Sequence, residues 1–492
     1  MGVIIRQSIA TTIIAYAGVL IGYINLMYLY PRFLTPEQVG LMRTLQDAAI
    51  LMAQFAQFGL AQSIIRFLPK FSDQAGKFIN LILLAALGAF ALFLTVFYLF
   101  EQTILGYFQQ NAADFIHYAG LVLWMTFITV ISTLLEIYSR SLLRNILPNL
   151  LKEIVARLLL GILVLVYFKG WLDFQQVMVF SVLIYAFCLL MLIIGLALQG
   201  KLVLTINSGM MTPETRKELI TFSALSFAGT AGLIVIGKVD SMMVAGLLGL
   251  APVAIYTTSF YMATVIEIPK RAITQVATPL ISRGFEKNDT AEIAKIYHKA
   301  ALNQFLLGSI LFIGVVANLH SIFLLMPRGD YYEAGRWVVI IVGAGKLVDM
   351  LFGPNSELIV YSKYYRFNIV LIVFLSVLIV SLNNWLIPIY GIMGAAMGAA
   401  ITLVLFNLVK FIFIWRVTGL QPFSTSFIKV ALIAAITWGL HLIIPYFTSP
   451  LTDMVIRSAA LSLLFGGMVL GTGLSPEANE ILRKTFPFIR RK

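Results

Sequence analysis

The chain has 492 residues, of which 60% are hydrophobic and only 12% are charged, and its formal net charge is +13. A soluble protein of this length carries about twice that charged fraction, so the composition excludes a soluble enzyme or binding domain and predicts an all-α polytopic membrane protein. Basic residues in such a chain flank the membrane helices, so the positive charge does not indicate a nucleic-acid partner. The single cysteine, Cys188, excludes an internal disulfide and a cysteine-based zinc site.

Apolar stretches of about twenty residues predict about fourteen membrane-spanning helices, because a helix needs that length to cross the hydrocarbon. In chain order they lie near residues 8–30, 40–67, 78–100, 115–139, 150–168, 174–198, 219–245, 253–281, 299–325, 337–361, 367–388, 391–415, 427–447 and 455–474. The second and the eighth of these segments are the most polar, so hydropathy supports them least.

Basic residues alternate between the two ends of successive spans. With the N-terminus inside, the cytoplasmic segments hold most of them, including Arg66, Arg140, Arg283, Lys363 and the basic tail with Arg483 and Lys484. The opposite loops hold far fewer basic residues. Because cytoplasmic loops are enriched in Lys and Arg, this alternation predicts an even number of spans with both termini in the cytoplasm.

The chain contains an internal repeat. Residues 137–145 read IYSRSLLRN and residues 360–368 read VYSKYYRFN, and the two copies end the fourth and the tenth predicted spans. Six spans separate equivalent points, so both copies face the cytoplasm and the repeat is parallel, an arrangement found in two-lobed transporters. The predicted organisation is an N-lobe at 1–199, a cytoplasmic linker at 200–218, a C-lobe at 219–418, and two extra spans with a basic tail at 419–492.

Polar residues form a stripe along the second span. Arg43, Asp47, Gln54 and Gln57 follow one another at steps that place them on one helical face. Ionisable groups within a span are costly unless they face a wet cavity or a partner, so the stripe predicts a hydrated path. The alternative is a packed helix in which Arg43 and Asp47 form a pair at i, i+4.

The eighth and tenth spans also carry charges. Glu267 lies one turn before Arg271, with Pro269 between them, and this proline predicts a kink that serves either as a hinge or as a static bend. Lys346 and Asp349 are the deepest charges of the chain. They form either a simple i, i+3 ion pair or a cation for an anionic substrate with an acid for a coupling ion. Arg140 and Lys363 are expected at the cytoplasmic mouth, as anchors.

Catalytic signatures are missing from the sequence. It has no HExxH, GxSxG, Walker A or GxGxxG motif in a suitable context, and its four histidines are scattered. The predicted loops are too short to carry the catalytic acids of a glycan polymerase. We therefore expect no enzyme activity, no metal site and no cofactor.

Two segments resemble a known family. Residues 31–46 (PRFLTPEQVGLMRTLQ) and residues 238–260 (KVDSMMVAGLLGLAPVAIYTTSF) are similar to the opening and to the seventh-to-eighth span junction of polysaccharide flippases. These belong to the multidrug/oligosaccharidyl-lipid/polysaccharide exporter superfamily. The resemblance implies two six-helix lobes around a central cavity, alternating access, and a polyprenyl-diphosphate-linked oligosaccharide as substrate in the bacterial inner membrane.

The working hypothesis is a lipid-linked glycan flippase for surface polysaccharide such as O-antigen. Arg43, Arg271 and Lys346, with Gln54 and Gln57, would contact the substrate, because a diphosphate needs cations and sugars need polar groups. The same hypothesis assigns H⁺ or Na⁺ coupling to Asp47, Glu267 and Asp349, with the membrane potential as another driving force. Its partners are membrane lipids, a glycan polymerase and glycosyltransferases. The alternatives are a cation-coupled multidrug exporter and a non-transporting component of a glycan assembly complex.

Overall fold

The computed structural model describes residues 2–202 and 211–474, leaving aside the side chains of residues 2–6, 8 and 9. Within these ranges the chain is helical and has no β-strand, which confirms the predicted all-α class. The middle of the predicted linker 200–218 and the predicted basic tail, with Arg483 and Lys484, lie outside the described residues.

The α-helices divide into an earlier and a later series. The earlier series is α1 (Gly2–Tyr23), α2 (Tyr30–Phe33), α3 (Pro36–Gln57), α4 (Leu60–Phe67), α5 (Ala75–Leu99), α6 (Glu101–Gly106), α7 (Ala113–His117), α8 (Ala119–Ser141), α9 (Ile146–Asn149), α10 (Ala156–Phe168), α11 (Phe174–Leu198) and α12 (Pro213–Leu248). The later series is α13 (Leu250–Thr264), α14 (Ile268–Glu286), α15 (Thr290–Ala317), α16 (Leu319–Leu325), α17 (Gly329–Tyr332), α18 (Arg336–Phe352), α19 (Asn355–Val360), α20 (Tyr365–Tyr390), α21 (Ile392–Thr418), α22 (Thr425–Ile443) and α23 (Pro450–Gly471).

Short segments of other helical types join several of these helices. Ile24–Leu29 and Leu150–Val155 are π-helical, whereas Leu68–Gln74, Val265–Glu267 and Glu333–Gly335 are 3₁₀-helical. Such segments change the direction or the rotation of a helix at defined points. They therefore decide which face the following helix presents to its neighbours.

Ten helical stretches of the described chain are long and apolar enough to cross a membrane. The predicted count of fourteen is not confirmed. The second, fifth, eighth and tenth predicted spans do not meet the criterion, because it also requires high apolarity and few charges; α3, for example, is 22 residues long but carries Glu37, Arg43 and Asp47. Each of these four predicted spans is also interrupted within its length. The interruptions separate α3 from α4, α9 from α10, α13 from α14, and α18 from α19.

The break between α3 and α4 has a local cause in the backbone. Phe58 and Gly59 both have positive φ, at 46° and 74°. A β-carbon on Gly59 would lie 2.1 Å from the carbonyl oxygen of Ser223 on α12. Glycine permits both the left-handed conformation and this close approach of two backbones, so α3 ends here and α12 packs tightly against the break.

The eighth predicted span changes helix type just before Pro269. The 3₁₀ turn Val265–Glu267 ends α13, and the proline lies in the first turn of α14, where its missing N–H costs nothing. Glu267 and Lys270, on either side of this proline, both reach α18. The predicted kink, and its movement as a hinge during transport, stay predictions.

Contacts divide the chain into two units. The first unit holds the described residues up to Ala254 with Asn383–Gly391, and the second holds Ile255–Leu382 with the described residues from Ile392 onward. In the first unit, α3 packs against α8 and α12. The sequence assigned α12 to the C-lobe, whereas its contacts group it with the first unit. The lobe boundaries at 199 and 219 stay a prediction.

In the second unit, α18 packs against α15 and α21, and the hairpin of α22 and α23 packs against α15. A fully buried arginine closes this hairpin. Both Arg457 and Asp453 are at most 1% exposed, and Arg457 Nη2 donates to Asp453 Oδ1 at 2.8 Å. The guanidinium also donates to the carbonyl oxygens of His441, Ile444 and Pro445 and lies 4.5 Å from the ring centroid of Tyr446. These buried contacts therefore fix the connection between α22 and α23.

Candidate functional site

The polar stripe of α3 is divided between two different sets of partners. Asp47 is 7% exposed, and Lys238 of α12 contacts its Oδ1 at 2.5 Å while Ser241 donates to its Oδ2 at 2.7 Å. Arg43 instead donates to Gln46 at 3.2 Å. The predicted alternative of an Arg43–Asp47 pair is therefore wrong, because α12 supplies a closer cation.

Arg43 is the cation of this stripe without a carboxylate partner among the described residues. Its guanidinium lies 5.7 Å from the ring centroid of Tyr30, and the side chain is half-buried. A guanidinium carries five N–H donors, and only the bond to Gln46 engages it here. Arg43 therefore keeps donors available for an anion.

Gln54 and Gln57 bind each other. Gln57 Nε2 donates to Gln54 Oε1 at 2.7 Å, whereas the buried Gln57 Oε1 has no hydrogen-bond partner within residues 2–202 and 211–474. An unpaired buried amide oxygen is unusual, since burial without a partner costs free energy. The pair lies immediately before the break at Gly59.

Two ion pairs join α18 of the second unit to the residues around Pro269. Lys346 Nζ lies 2.7 Å from Glu267 Oε2, and Lys270 Nζ binds Asp349 Oδ2. The alternative of a simple i, i+3 pair between Lys346 and Asp349 is therefore wrong. Lys346 finds its partner at the end of the 3₁₀ turn, and Asp349 finds its partner in the first turn of α14.

Asp349 also anchors an amide chain. Asn407 of α21 donates to Asp349 Oδ1 at 2.9 Å, and Asn355 donates to Asn407 Oδ1 at 2.9 Å. One turn further along α21, the buried Lys410 donates to Ser356 at 2.7 Å, and its Nζ lies 3.6 Å from the ring centroid of Phe406. The charges thus belong to a network that connects α14, α18, α19 and α21.

A cavity of about 440 Å³ opens beside this network. It is lined by polar side chains of α14 and its neighbours: Glu267, Lys270, Arg271, Thr274, Gln275, Thr278 and Glu357. The Arg271 side chain is 79% exposed and contacts Glu267 Oε1 at 3.3 Å. Two cations and two acids therefore face one space, together with neutral hydrogen-bonding groups.

Sequence reasoning found part of this site. It singled out Glu267, Arg271 and Lys346, which contact one another, and Asp349, which belongs to the neighbouring set with Lys270 and Asn407. It did not single out Lys270, although a cation directly after a predicted kink-forming proline was an available signal. Arg140 is exposed at the end of α8 and Lys363 is exposed in the turn before α20, and neither lines this cavity.

Comparison with known proteins identifies a family and a fold. A family model described as polysaccharide biosynthesis protein matches residues 4–285, more than half of the chain. A comparison with curated protein sequences finds no match.

Three solved structures share the fold. A lipid II flippase, MurJ, in an inward closed conformation is 14% identical with a TM-score of 0.73, covering 96% of this chain and 100% of its own. An inward-facing multidrug resistance MATE family transporter of the MOP superfamily is 16% identical with a TM-score of 0.64, covering 82% of this chain and 95% of its own. A MOP superfamily transporter from Pyrococcus furiosus is 15% identical with a TM-score of 0.53, covering 85% of this chain and 96% of its own. This chain therefore has the fold of membrane transporters.

Proposed function

This chain belongs to the polysaccharide biosynthesis protein family, and from that premise we propose that it is a flippase for a polyprenyl-diphosphate-linked oligosaccharide. The substrate would cross the bacterial inner membrane from the cytoplasmic to the outer leaflet by alternating access, for surface polysaccharide synthesis. The polyprenyl chain would stay in the lipid, so the protein has to accommodate only the diphosphate and the sugars.

The observation that carries the proposal is the cavity beside α14. Lys270 and Arg271 line it at adjacent positions, and each is held by one carboxylate, Asp349 and Glu267 respectively. An ammonium has three donors and a guanidinium has five, so both cations keep N–H groups for a phosphate oxygen while bound to their acids. Arg suits this task because its planar fork matches phosphate geometry.

Arg43 in the first unit is a second candidate for a diphosphate contact, because no carboxylate neutralises it among the described residues. Gln54 and Gln57 would serve as polar lining. Lys346 is only 7% exposed, so we assign its contribution to holding Glu267 rather than to direct contact in this conformation.

Ion coupling is proposed at Asp47, Glu267 and Asp349. Each of these carboxylates already contacts a lysine, namely Lys238, Lys346 and Lys270. A proton or Na⁺ that binds to one of them therefore competes with its lysine. Coupling at these positions would release a cation toward the substrate when the ion binds, which gives a physical link between the two events.

The test is surface glycan in cells that depend on this protein. Arg43→Ala and Arg271→Ala are expected to lower export at least tenfold, since charge-assisted hydrogen bonds contribute about 1.5–3 kcal/mol each. Lipid-linked glycan should then accumulate in the inner leaflet. Arg416→Ala, an exposed cation at the end of α21, is the matched control and should export normally.

Other outcomes favour the competing functions. Normal export by both variants at normal protein level would remove this site assignment. Dye efflux that is lost in the variants while surface glycan is unchanged would favour a multidrug exporter. If substitutions in the cavity leave glycan export unchanged while substitutions in the loops abolish it, a non-transporting component that organises a polymerase and glycosyltransferases is favoured.

A further inference from the structure

Neutral hydrogen-bonding groups follow the two cations along α14. Thr274 and Gln275 lie one turn after Lys270 and Arg271, and Thr278 lies one turn further. All five line the same cavity. At 1.5 Å per residue, the distance along the helix from Lys270 to Thr278 is about 12 Å. Along α14 the lining of the cavity therefore changes from charged to neutral polar side chains.

The hydroxyl of Thr274 is held in place by a buried amide. Gln304 of α15 is 0% exposed, and its Nε2 lies 3.1 Å from Thr274 Oγ1. The Thr274 hydroxyl has no second partner among the described residues, so its remaining hydrogen-bonding capacity is unused at the cavity wall. The other Gln304 amide atom, Oε1, is buried and has no hydrogen-bond partner in the part of the chain that the structure describes. This hydrogen bond from a buried amide indicates that Gln304 positions the Thr274 hydroxyl.

The two other neutral groups differ in what they offer. Thr278 Oγ1 donates to the Thr274 carbonyl oxygen at 2.7 Å, so its hydroxyl is left only as an acceptor. Gln275 is exposed and offers both a donor and an acceptor. Glu357 of α19 lines the same cavity and accepts hydrogen bonds. Such a mixture suits an uncharged polyol better than a second anion.

We infer that this cavity binds the diphosphate together with the first sugar of the glycan, and that Thr274 and Gln275 contact the sugar. The inference rests on the proposed function and names the part of the substrate that this site distinguishes. The charged side chains hold the phosphates, whereas the neutral side chains hold sugar hydroxyl groups. A volume of about 440 Å³ lies within the usual range of ~300–1,000 Å³ for small-molecule sites, so the cavity has the size of a site for a diphosphate with one sugar.

A site built to hydrogen-bond a hydroxyl rejects a ligand that lacks it, because its own polar groups then stay unpaired. Gln304 acts through Thr274 as a positioning residue and does not itself touch the sugar.

The test compares two probes on the full-length protein in lipid nanodiscs: geranyl diphosphate, and the same molecule carrying one N-acetylglucosamine. Wild type should bind the glycosylated probe more tightly. Thr274→Val should lower that preference about 3- to 10-fold, the range expected for one hydrogen bond, and leave geranyl diphosphate binding unchanged. Lys270→Gln should weaken both probes alike. Thr437→Val, which removes a buried hydroxyl of α22 far along the chain, is the control.

Gln275→Leu gives an independent measurement, since its exposed side chain is not part of the packed interior and the variant should fold. Equal binding of both probes by wild type, or an undiminished sugar preference in Thr274→Val and Gln275→Leu, would overturn the sugar site and leave the diphosphate site standing. Failure of wild type to bind either probe would overturn the proposed diphosphate site and the sugar site with it.

Discussion

At the scale of single residues, the buried charges of this chain bind partners on other helices. Asp47 contacts Lys238, Asp349 contacts Lys270, and Lys346 contacts Glu267. Sequence spacing offered Arg43 and Asp47, or Lys346 and Asp349, as pairs within one helix. In the structure each of these charges is instead paired with a residue that is distant in the sequence. The reason is that a buried carboxylate is best satisfied by a cation together with further hydrogen bonds. Asp349 and Asp47 each have both.

The first prediction concerns the buried arginine of the C-terminal hairpin. Arg457→Leu should destabilise the protein by about 3–5 kcal/mol, because it leaves Asp453 buried without its cation. The measurement is the loss of folded protein on heating in detergent. Arg336→Leu is the matched control, since Arg336 and Glu333 are 3.6 Å apart with side chains 43% and 41% exposed; it should cost less than about 1 kcal/mol. Equal melting temperatures of the two variants would contradict a stabilising role of the buried pair of Arg457 and Asp453.

The second prediction concerns the bridge between Lys346 and Glu267. Each single reversal, Lys346→Glu or Glu267→Lys, should lower the amount of folded protein in the membrane, since it places like charges together. The double reversal should restore part of that loss, because the pair is re-formed with opposite polarity while Arg271 still faces the introduced lysine. The measurement is a double-mutant cycle on thermal stability. Additive losses in the double variant would show that the two residues do not act as a pair.

At the scale of helices, the interruptions matter more than the uninterrupted spans. The break before α4 and the break before α14 lie in the most polar predicted spans, and the second of them directs Glu267 and Lys270 toward α18. Hydropathy recognised these spans poorly because they combine polar stripes with Gly or Pro. The polar residues that lower the hydropathy of these spans are also the residues that form the candidate site.

The third prediction tests the break at Gly59. Gly59→Ala should destabilise the protein by at least about 1–3 kcal/mol, since alanine disfavours a positive φ and its β-carbon would meet the Ser223 carbonyl oxygen. Gly88→Ala in α5 is the control, because nothing lies within 4 Å of its added β-carbon. That change should be neutral or stabilising by up to about 1 kcal/mol. The measurement is the melting temperature of each variant in detergent. A melting temperature of Gly59→Ala equal to that of the wild type would argue against the tight contact with α12.

At the scale of the whole molecule, the chain is an all-α membrane protein with a transporter fold and belongs to the polysaccharide biosynthesis protein family. Each of its two units contains a buried carboxylate bound to a lysine, Asp47 in the first and Asp349 in the second. The parallel repeat and the cytoplasmic location of both termini remain predictions from the distribution of basic residues.

The fourth prediction tests that topology with single cysteines. Cys188 is the one cysteine of the sequence and is buried, so Cys188→Ser provides a background without thiols. A membrane-impermeant maleimide should label Lys169→Cys in intact cells. It should label Arg140→Cys and Lys363→Cys only after permeabilisation, because the positive-inside rule places both repeat copies in the cytoplasm. Labelling of the two copies from opposite sides would mean that the repeat is not parallel.

The sequence by itself determined the membrane class, the helical architecture and an irregularity of the eighth span near Pro269, because these depend on local chemistry: apolar length, helical spacing and the missing N–H of proline. It also singled out four of the charged residues that form ion pairs in the second unit. Only the tertiary structure decided that Lys346 binds Glu267 and that Lys270 binds Asp349. It also showed the cavity beside Arg271 and the amide that holds Thr274. Spacing along a helix states which residues share a face, whereas ion pairs between helices depend on rotation and packing, which arise only when the helices meet.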